Sequence, residues 1–407
     1  MGLDCKQQTI KEVFENRSIK SLGLLIGLIG LSYLLWKVVS LYGHDLTFKY
    51  LWLAGSLWQD GLNPYGNDYM IIGHQLFETF NGQPLYYPPN WWLISNILAL
   101  FEYEFAMEIW RVGSAAAIII STFFLNKALQ KTGVSFSINY LIFYTGLVCF
   151  MQATAVGLAT GQTAILLYFA LSLIIYATAH SNSFLLAIGL CILLLKPQVG
   201  VPLFFALLPI KAFHRPLLYT CILTFILILP ALITIGPLET IVPYLKGLSQ
   251  HSNFATNNPL NSTGLKRFMS FLFSINLSSS IASLLSIIIA IVIGLYYRKR
   301  QTDYKDSNDN KPLIGFFITV ISLIAFIAPL HEYDLIIVVP IIILAAIYRI
   351  NFQIFVTAAF LILMRSGNIA DLLAPTTADE ARYYTASVAT LALTTIIAIN
   401  ISLRRKT

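Results

Sequence analysis

The sequence predicts an all-α polytopic membrane protein, and three observations carry that class. Of 407 residues, 57% are hydrophobic and only 11% charged, against about 25% charged in ordinary soluble chains. Mean hydropathy is +0.73. Apolar runs recur from end to end, many close to the roughly 20 residues that a membrane-crossing helix needs. In hydrocarbon every backbone N–H and C=O must bond within the protein, and these runs are too long and too unalternating for barrel strands, so they read as helices. A soluble globular enzyme and a disordered chain are both excluded. The length alone would allow two or three soluble domains, but the uniform apolarity predicts a single membrane domain over residues 1–407.

About twelve spans are expected: 21–42, 105–126, 138–152, 160–180, 183–195, 198–210, 216–235, 275–297, 312–330, 335–348, 352–365 and 383–402. The segments 183–195 and 198–210 are too short to cross alone, so a broken or re-entrant pair around Pro197 is expected. The N-terminal run Leu22–Leu35 follows Lys6, Lys11, Arg17 and Lys20, has no small-x-small cleavage site and continues through Trp36 and Lys37. It reads as an uncleaved first span. Residues 88–101, PPNWWLISNILALF, are apolar but only 14 long and open with two prolines. They are expected to lie in or on the outer leaflet as a juxtamembrane helix.

Charge parity supports that choice. With 88–101 kept outside and the N-terminus inside, 17 of the 26 Lys and Arg residues fall in cytoplasmic loops and tails, and 13 of the 19 acidic residues fall outside or within spans. That is the positive-inside pattern. The net charge of +7 therefore reports membrane orientation rather than nucleic-acid binding. Cys5, Cys149, Cys191 and Cys221 show no metal-ligand spacing and no disulfide framework. The resulting plan has a long first external loop at 43–104, a second at 236–274, a cytoplasmic linker at 298–311 and both termini in the cytoplasm. No internal repeat is present, which weakens a transporter or flippase of inverted-repeat design.

The polar motifs all fall on the external face in this topology. They are His44-Asp45, GLNPYG at 61–66, YYPPNWW at 86–92, Gly161-Gln162, Lys196-Pro197-Gln198 and HEYD at 331–334. A one-sided cluster is what a membrane-surface site needs. Asp45 stands just beyond the first span, within reach of a hydroxyl at the bilayer surface, as a general base must be; the plain alternative is a helix-end carboxylate facing water. Asp60 and Asp68 adjoin turn residues, where Asp commonly bonds local backbone. A lysine inside an apolar run is expensive, about 2.5 to 3.5 kcal/mol at mid-bilayer, so Lys196 is expected to face a polar cavity or to snorkel. Tyr86, Tyr87, Trp91 and Trp92 suit sugar stacking or an interfacial belt. Lys266 and Arg267 suit a lipid phosphate or a solvated surface. Gln162 is a candidate hydroxyl contact. His331, Glu332, Asp334 and Asp45 have no metal-ligand spacing, so no metal is expected.

The run from Asp45 through FKYLWLAG, GLNPYG and YYPPNWWLI, then ATGQTAILL, LLLKPQVGVPL and HEYDLIIVVP, resembles glycosyltransferase family 87. The resemblance implies a GT-C-like bundle with a catalytic first external loop of juxtamembrane helices. It further implies an inverting transferase without a cofactor, which moves a mannose-like hexose from a polyprenyl-phosphate donor to a glycan or glycolipid acceptor at a bacterial plasma membrane. Carried onto this chain, it assigns catalysis to Asp45 and His331. Donor and acceptor contacts would come from Lys196, Gln162, Gln198, Tyr87, Asn63, Tyr65, Lys266 and Arg267. Departures are Lys49 in an otherwise aromatic helix face and the order Lys-Pro-Gln at 196–198. A polysaccharide polymerase or ligase is the nearest other class.

Overall fold

The structure, a computed structural model, describes residues 17–40, 47–131, 137–251, 254, 261–301 and 311–340. Among these, all regular structure is helical. The first helix, α1 (Arg17–Ser40), is followed by the first-loop helices α2 (Phe48–Gln59), α3 (Asn67–Leu76) and α4 (Trp92–Ala99). The bundle continues as α5 (Tyr103–Gln130), α6 (Ile138–Phe150), α7 (Gln152–Ala159), α8 (Ala164–Ala179), α9 (Ser183–Leu193), α10 (Pro197–Leu207) and α11 (His214–Ile235). The second loop carries α12 (Pro237–His251) and α13 (Gly264–Phe273). Helices α14 (Ser279–Gln301) and α15 (Lys311–Ile327) then lead into a 3-10 helix, Glu332–Val338.

Four helices are long and apolar enough to cross a membrane, at Ser21–Ser40, Tyr103–Gln130, Lys211–Ile235 and Ser279–Arg300. The pair α6 and α7, bent by 61°, makes a fifth, and α8, α9, α10 and Gly315–Ile327 are shorter apolar helices. The expected count of twelve spans is therefore not reached by length among the described residues. The spans expected at 352–365 and 383–402, and most of 335–348, lie outside those residues. Helices α8 to α10 are short and pack largely inside the bundle. Their buried faces join those of α5, α6 and α15 in the main core. The long helices instead turn apolar side chains outward, such as Leu25 and Leu35 on α1, Phe225 and Ile233 on α11, and Leu284 and Val292 on α14. Faces of that size mark contact with lipid.

Contacts fix the direction of each helix. Gly27 meets Ile142, Gly30 meets Gly146 and Tyr33 stacks on Phe150, so α1 and α6 run parallel. A Cβ on Gly27 would lie 2.5 Å from the Ile142 carbonyl oxygen; small residues let these backbones touch, as membrane helix pairs require. Thr220 meets Ala187 and Cys191 meets Thr224, so α9 and α11 are also parallel, with α10 returning between them in sequence. Helices α9 and α10 have 11 residues each, about 17 Å against about 30 Å of hydrocarbon. Pro197 does not open an unwound segment here. It is the first residue of α10, where its missing N–H has no intrahelical partner to lose.

A second core lies under the first loop, built from Phe48, Leu51, Leu53, Leu57, Tyr69, Trp91 and Trp110. Helix α4 packs on α2, and a Cβ on Gly55 would collide with the Ser95 backbone. At eight residues, α4 is about 12 Å long and does not span a bilayer by itself.

The close α1–α6 packing yields a direct test. Gly27→Ala should destabilise the protein by roughly 1 to 3 kcal/mol through backbone overlap. Gly113→Ala, where a Cβ meets nothing within 4 Å, should be neutral or slightly stabilising. Thermal unfolding of the detergent-solubilised protein distinguishes the two.

Candidate active site

Apart from His44-Asp45, which lies outside the described residues, the motifs read from the sequence converge at one end of the bundle. The chain entering α2 is seated on the turn between α7 and α8. Thr47 N–H donates to the Thr160 carbonyl (3.0 Å), and Gln162 Nε2 donates to Thr47 Oγ1 (2.6 Å). Gly161 makes this fit possible: its φ is +66°, a Cβ there would lie 2.6 Å from Phe48 Cβ, and its carbonyl accepts from Trp110 Nε1 (3.1 Å). Gln162 thus anchors the segment two residues after Asp45. Asp45 itself lies outside the described residues.

Lys196 caps the start of α10 and is buried, with 8% exposure. Its ammonium pairs with the Asp334 carboxylate, which is fully buried, and lies 4.9 Å from the centroid of the Tyr333 ring. The second Asp334 oxygen accepts from the His331 backbone N–H (3.2 Å). His331 Nδ1 bonds the Asn261 carbonyl (2.9 Å), and its ring stacks on Tyr333. One carboxylate therefore ties the α9–α10 turn to the HEYD segment. The turn also receives Trp91, whose Nε1 donates to the Leu195 carbonyl (2.8 Å).

An aromatic wall stands beside this pair. Tyr87 packs on Trp91 and on Tyr86, and Tyr86 stacks on His251 with centroids 3.7 Å apart. Asn63 and Tyr65 lock the two loops together: Asn63 Nδ2 donates to the Glu239 carbonyl (2.7 Å), and Tyr65 Oη donates to the Tyr87 carbonyl (2.9 Å) while its ring meets Tyr244. Lys266 Nζ donates to Ser279 Oγ (2.9 Å). Arg267 is 2% exposed, and its Nε has no hydrogen-bond partner among the described residues. A buried guanidinium in that state is suited to an anionic ligand. Gln198 is half-buried on the first turn of α10. Among the described residues no three His, Cys, Asp or Glu side chains converge as a metal site.

Burial, followed by the nearby charges of His331 and Lys196, lowers the His251 imidazole to about 4. His331 is lowered chiefly by burial, against the opposing pull of Asp334, and burial also lowers Lys266. Both histidines are therefore neutral near pH 7.

Sequence reasoning found the members of this cluster but not all their partners. Asp334 was legible only as a neighbour of His331, although a lysine in an apolar run calls for a carboxylate, and HEYD supplies one. His251 carried no sequence signal. Lys49, out of place on an aromatic face, is buried and donates to the Thr79 carbonyl and hydroxyl at 2.7 Å each, so it holds the loop rather than facing ligand.

The family model of glycosyltransferase family 87 matches residues 85–324, more than half of the chain. The chain belongs to glycosyltransferase family 87. It is accordingly a membrane glycosyltransferase. The matched region holds Tyr87, Gln162, Lys196, Gln198, Lys266 and Arg267, whereas Asp45, Asn63, Tyr65 and His331 fall on either side of it. No curated protein matches the transferase.

Two predictions follow from the geometry. Lys196→Met and Asp334→Leu should each cost about 3 to 5 kcal/mol by stranding a buried charge, while the double variant should cost clearly less than their sum; denaturation of the three variants measures the coupling. The lowered His251 value means that the folded state binds its proton less readily than the unfolded state does. Stability is then complete above about pH 6.5 and falls as pH drops toward 4. Melting temperature recorded across that window should decline in the wild type and decline less in His251→Gln.

Proposed function

We propose that this transferase is an inverting enzyme of GT-C architecture acting on the external membrane face. In this reading it moves a mannose-like hexose from a polyprenyl-phosphate donor to a glycan or glycolipid acceptor, with Asp45 as general base. The observation that carries the reading is the convergence at one bundle end of the first loop, the Gly161-Gln162 turn, the Lys196 turn and the HEYD segment. The opposite end holds Lys127, Lys131, Lys211, Arg215 and Arg298–Arg300, in agreement with a cytoplasmic assignment by the positive-inside rule. Residues 43–104 then form the external catalytic loop, 236–274 the second external loop and 298–311 the cytoplasmic linker.

The chemistry needs one carboxylate and a place for negative charge. Asp45 takes the proton of the acceptor hydroxyl as its oxygen bonds to the anomeric carbon. The carbon–oxygen bond to phosphate breaks on the opposite side, and its electron pair leaves with the lipid phosphate, so configuration inverts. Gln162 acts by holding Thr47 and hence the register of Asp45. Arg267, with Lys266, is the cation suited to the departing phosphate; Lys196, neutralised by Asp334, organises the turn and the His331 backbone. Neutral His331 and the Tyr86–Tyr87 wall serve the sugar and acceptor hydroxyls, and Gln198, on the first turn of α10, is a further contact. Asn63 and Tyr65 keep the loops closed over the site. No cofactor enters this scheme.

Asp45→Asn keeps shape but removes the proton acceptor, so transfer should fall about 10² to 10⁴-fold while donor binding survives. The assay uses purified protein with a panel of radiolabelled polyprenyl-phosphate sugars, and donor affinity is measured in parallel for Arg267→Gln, which should bind weakly. Wild-type transfer by Asp45→Asn would remove the proposed base. Transfer from nucleotide sugars instead of lipid-linked ones would remove the donor class.

A further inference from the structure

We infer that a groove between α9 and α11, at the end of the bundle opposite the active site, binds an anionic phospholipid. The groove has a volume of about 450 Å³ and is lined by Ser183, Phe184, Arg215, Tyr219, Ile222 and Leu223. On α11 the lining residues are spaced by four, seven and eight positions from Arg215, which puts them on one helix face. Their chemistry changes along that face. A guanidinium and a phenol occupy the start of the helix, and the branched apolar side chains of Ile222 and Leu223 follow about 10 Å deeper.

Helix α9 supplies the facing wall from its own first turn, with the Ser183 hydroxyl beside the Phe184 ring. Phe184 and Ile222 are 55% and 47% exposed, and the rows behind them are closed where Thr220 meets Ala187 and Thr224 meets Cys191. A polar, cationic mouth over an apolar trough on the outside of a membrane bundle repeats the order of a phospholipid, an anionic head above an acyl chain.

Arg215 is arranged for that head. Its Nε donates to Tyr219 Oη (2.8 Å), and its guanidinium carbon lies 5.5 Å from the centroid of the same ring. These contacts hold the side chain at the mouth, and no carboxylate among the described residues pairs with it. Lys211 and His214 adjoin it on the same end but do not line the groove, so the selection for negative charge rests on Arg215. Basic pockets between membrane helices hold lipid head groups by this chemistry.

The test is native mass spectrometry of the full-length protein, released from detergent in the presence of equal amounts of phosphatidylglycerol and phosphatidylcholine with matched chains. One basic side chain near a membrane surface is worth about 1 kcal/mol, or roughly fivefold. The wild type should retain phosphatidylglycerol over phosphatidylcholine by about that factor. Arg215→Gln should reduce the preference to near unity, and Ile222→Trp should lower retention of both lipids by filling the trough. Lys211→Gln should keep most of the preference, and glycerol phosphate without acyl chains should not compete. Equal retention of the two lipids by the wild type, or an unchanged preference in Arg215→Gln, overturns the proposal. Equal loss in Lys211→Gln overturns it in favour of a diffuse basic rim, and competition by glycerol phosphate overturns it in favour of a bare phosphate site.

Discussion

Lys196 and Asp334 stand 138 residues apart in the chain and meet as a buried ion pair, and the arrangement of the candidate-site end of the bundle depends on that meeting. Neither charge is tolerable alone in an apolar bundle, since an unpaired buried charge costs several kcal/mol. The pair therefore fixes the turn between two short helices against a segment that arrives after α15. Once fixed, Asp334 has a second oxygen to hold the His331 backbone, and the Leu195 carbonyl is available to Trp91. The first loop, the middle of the bundle and the HEYD segment become one unit through three side chains.

The shortness of α9 and α10 is part of the same design. Eleven residues cannot cross a bilayer, so their turn ends inside the protein and the space above it is filled by the aromatic segment around Tyr87 and Trp91. The site is consequently recessed rather than spread over a flat surface. Burial there lowers His251 and His331, which keeps both rings neutral, while the buried Arg267 Nε has no hydrogen-bond partner among the described residues. A recessed site of this kind strengthens the electrostatic interactions inside it by keeping water out.

The second loop is a structural partner of the first, more than a connection. Asn63 reaches the Glu239 backbone, Tyr65 meets Tyr244 and Tyr86 stacks on His251. Three contacts from three first-loop positions hold α12 over the site. The motif GLNPYG is thus best understood as a clasp: its turn residues set the chain direction, and its polar atoms bind backbone across the loops. Gly161-Gln162 plays a comparable part on the other side, where the glycine admits Phe48 and the glutamine takes Thr47.

Much of this protein was legible in the sequence. Membrane class and helical structure follow from apolar runs because hydrocarbon leaves the backbone no other option. The Lys and Arg placement put the motifs together on one side, and those among the described residues do share one end of the bundle; the family follows from motifs in order. Residues 88–101 read as too short and too proline-rich to cross, and the helix formed there is eight residues long. Helix boundaries were less legible: the expected span 138–152 ends within a residue of the break at Met151, but its bent continuation as α7 was not expected, since no Pro or Gly stands at the break. Partners were least legible. That Lys196 needed a polar cavity or the interface was written in its apolar flanks, but that Asp334 pairs with it, that Gln162 serves Thr47 and that His251 stacks on Tyr86 were decided only by tertiary structure. Composition and periodicity act locally along the chain, whereas pairing of buried polar groups depends on which distant segments the packed bundle brings within hydrogen-bond reach.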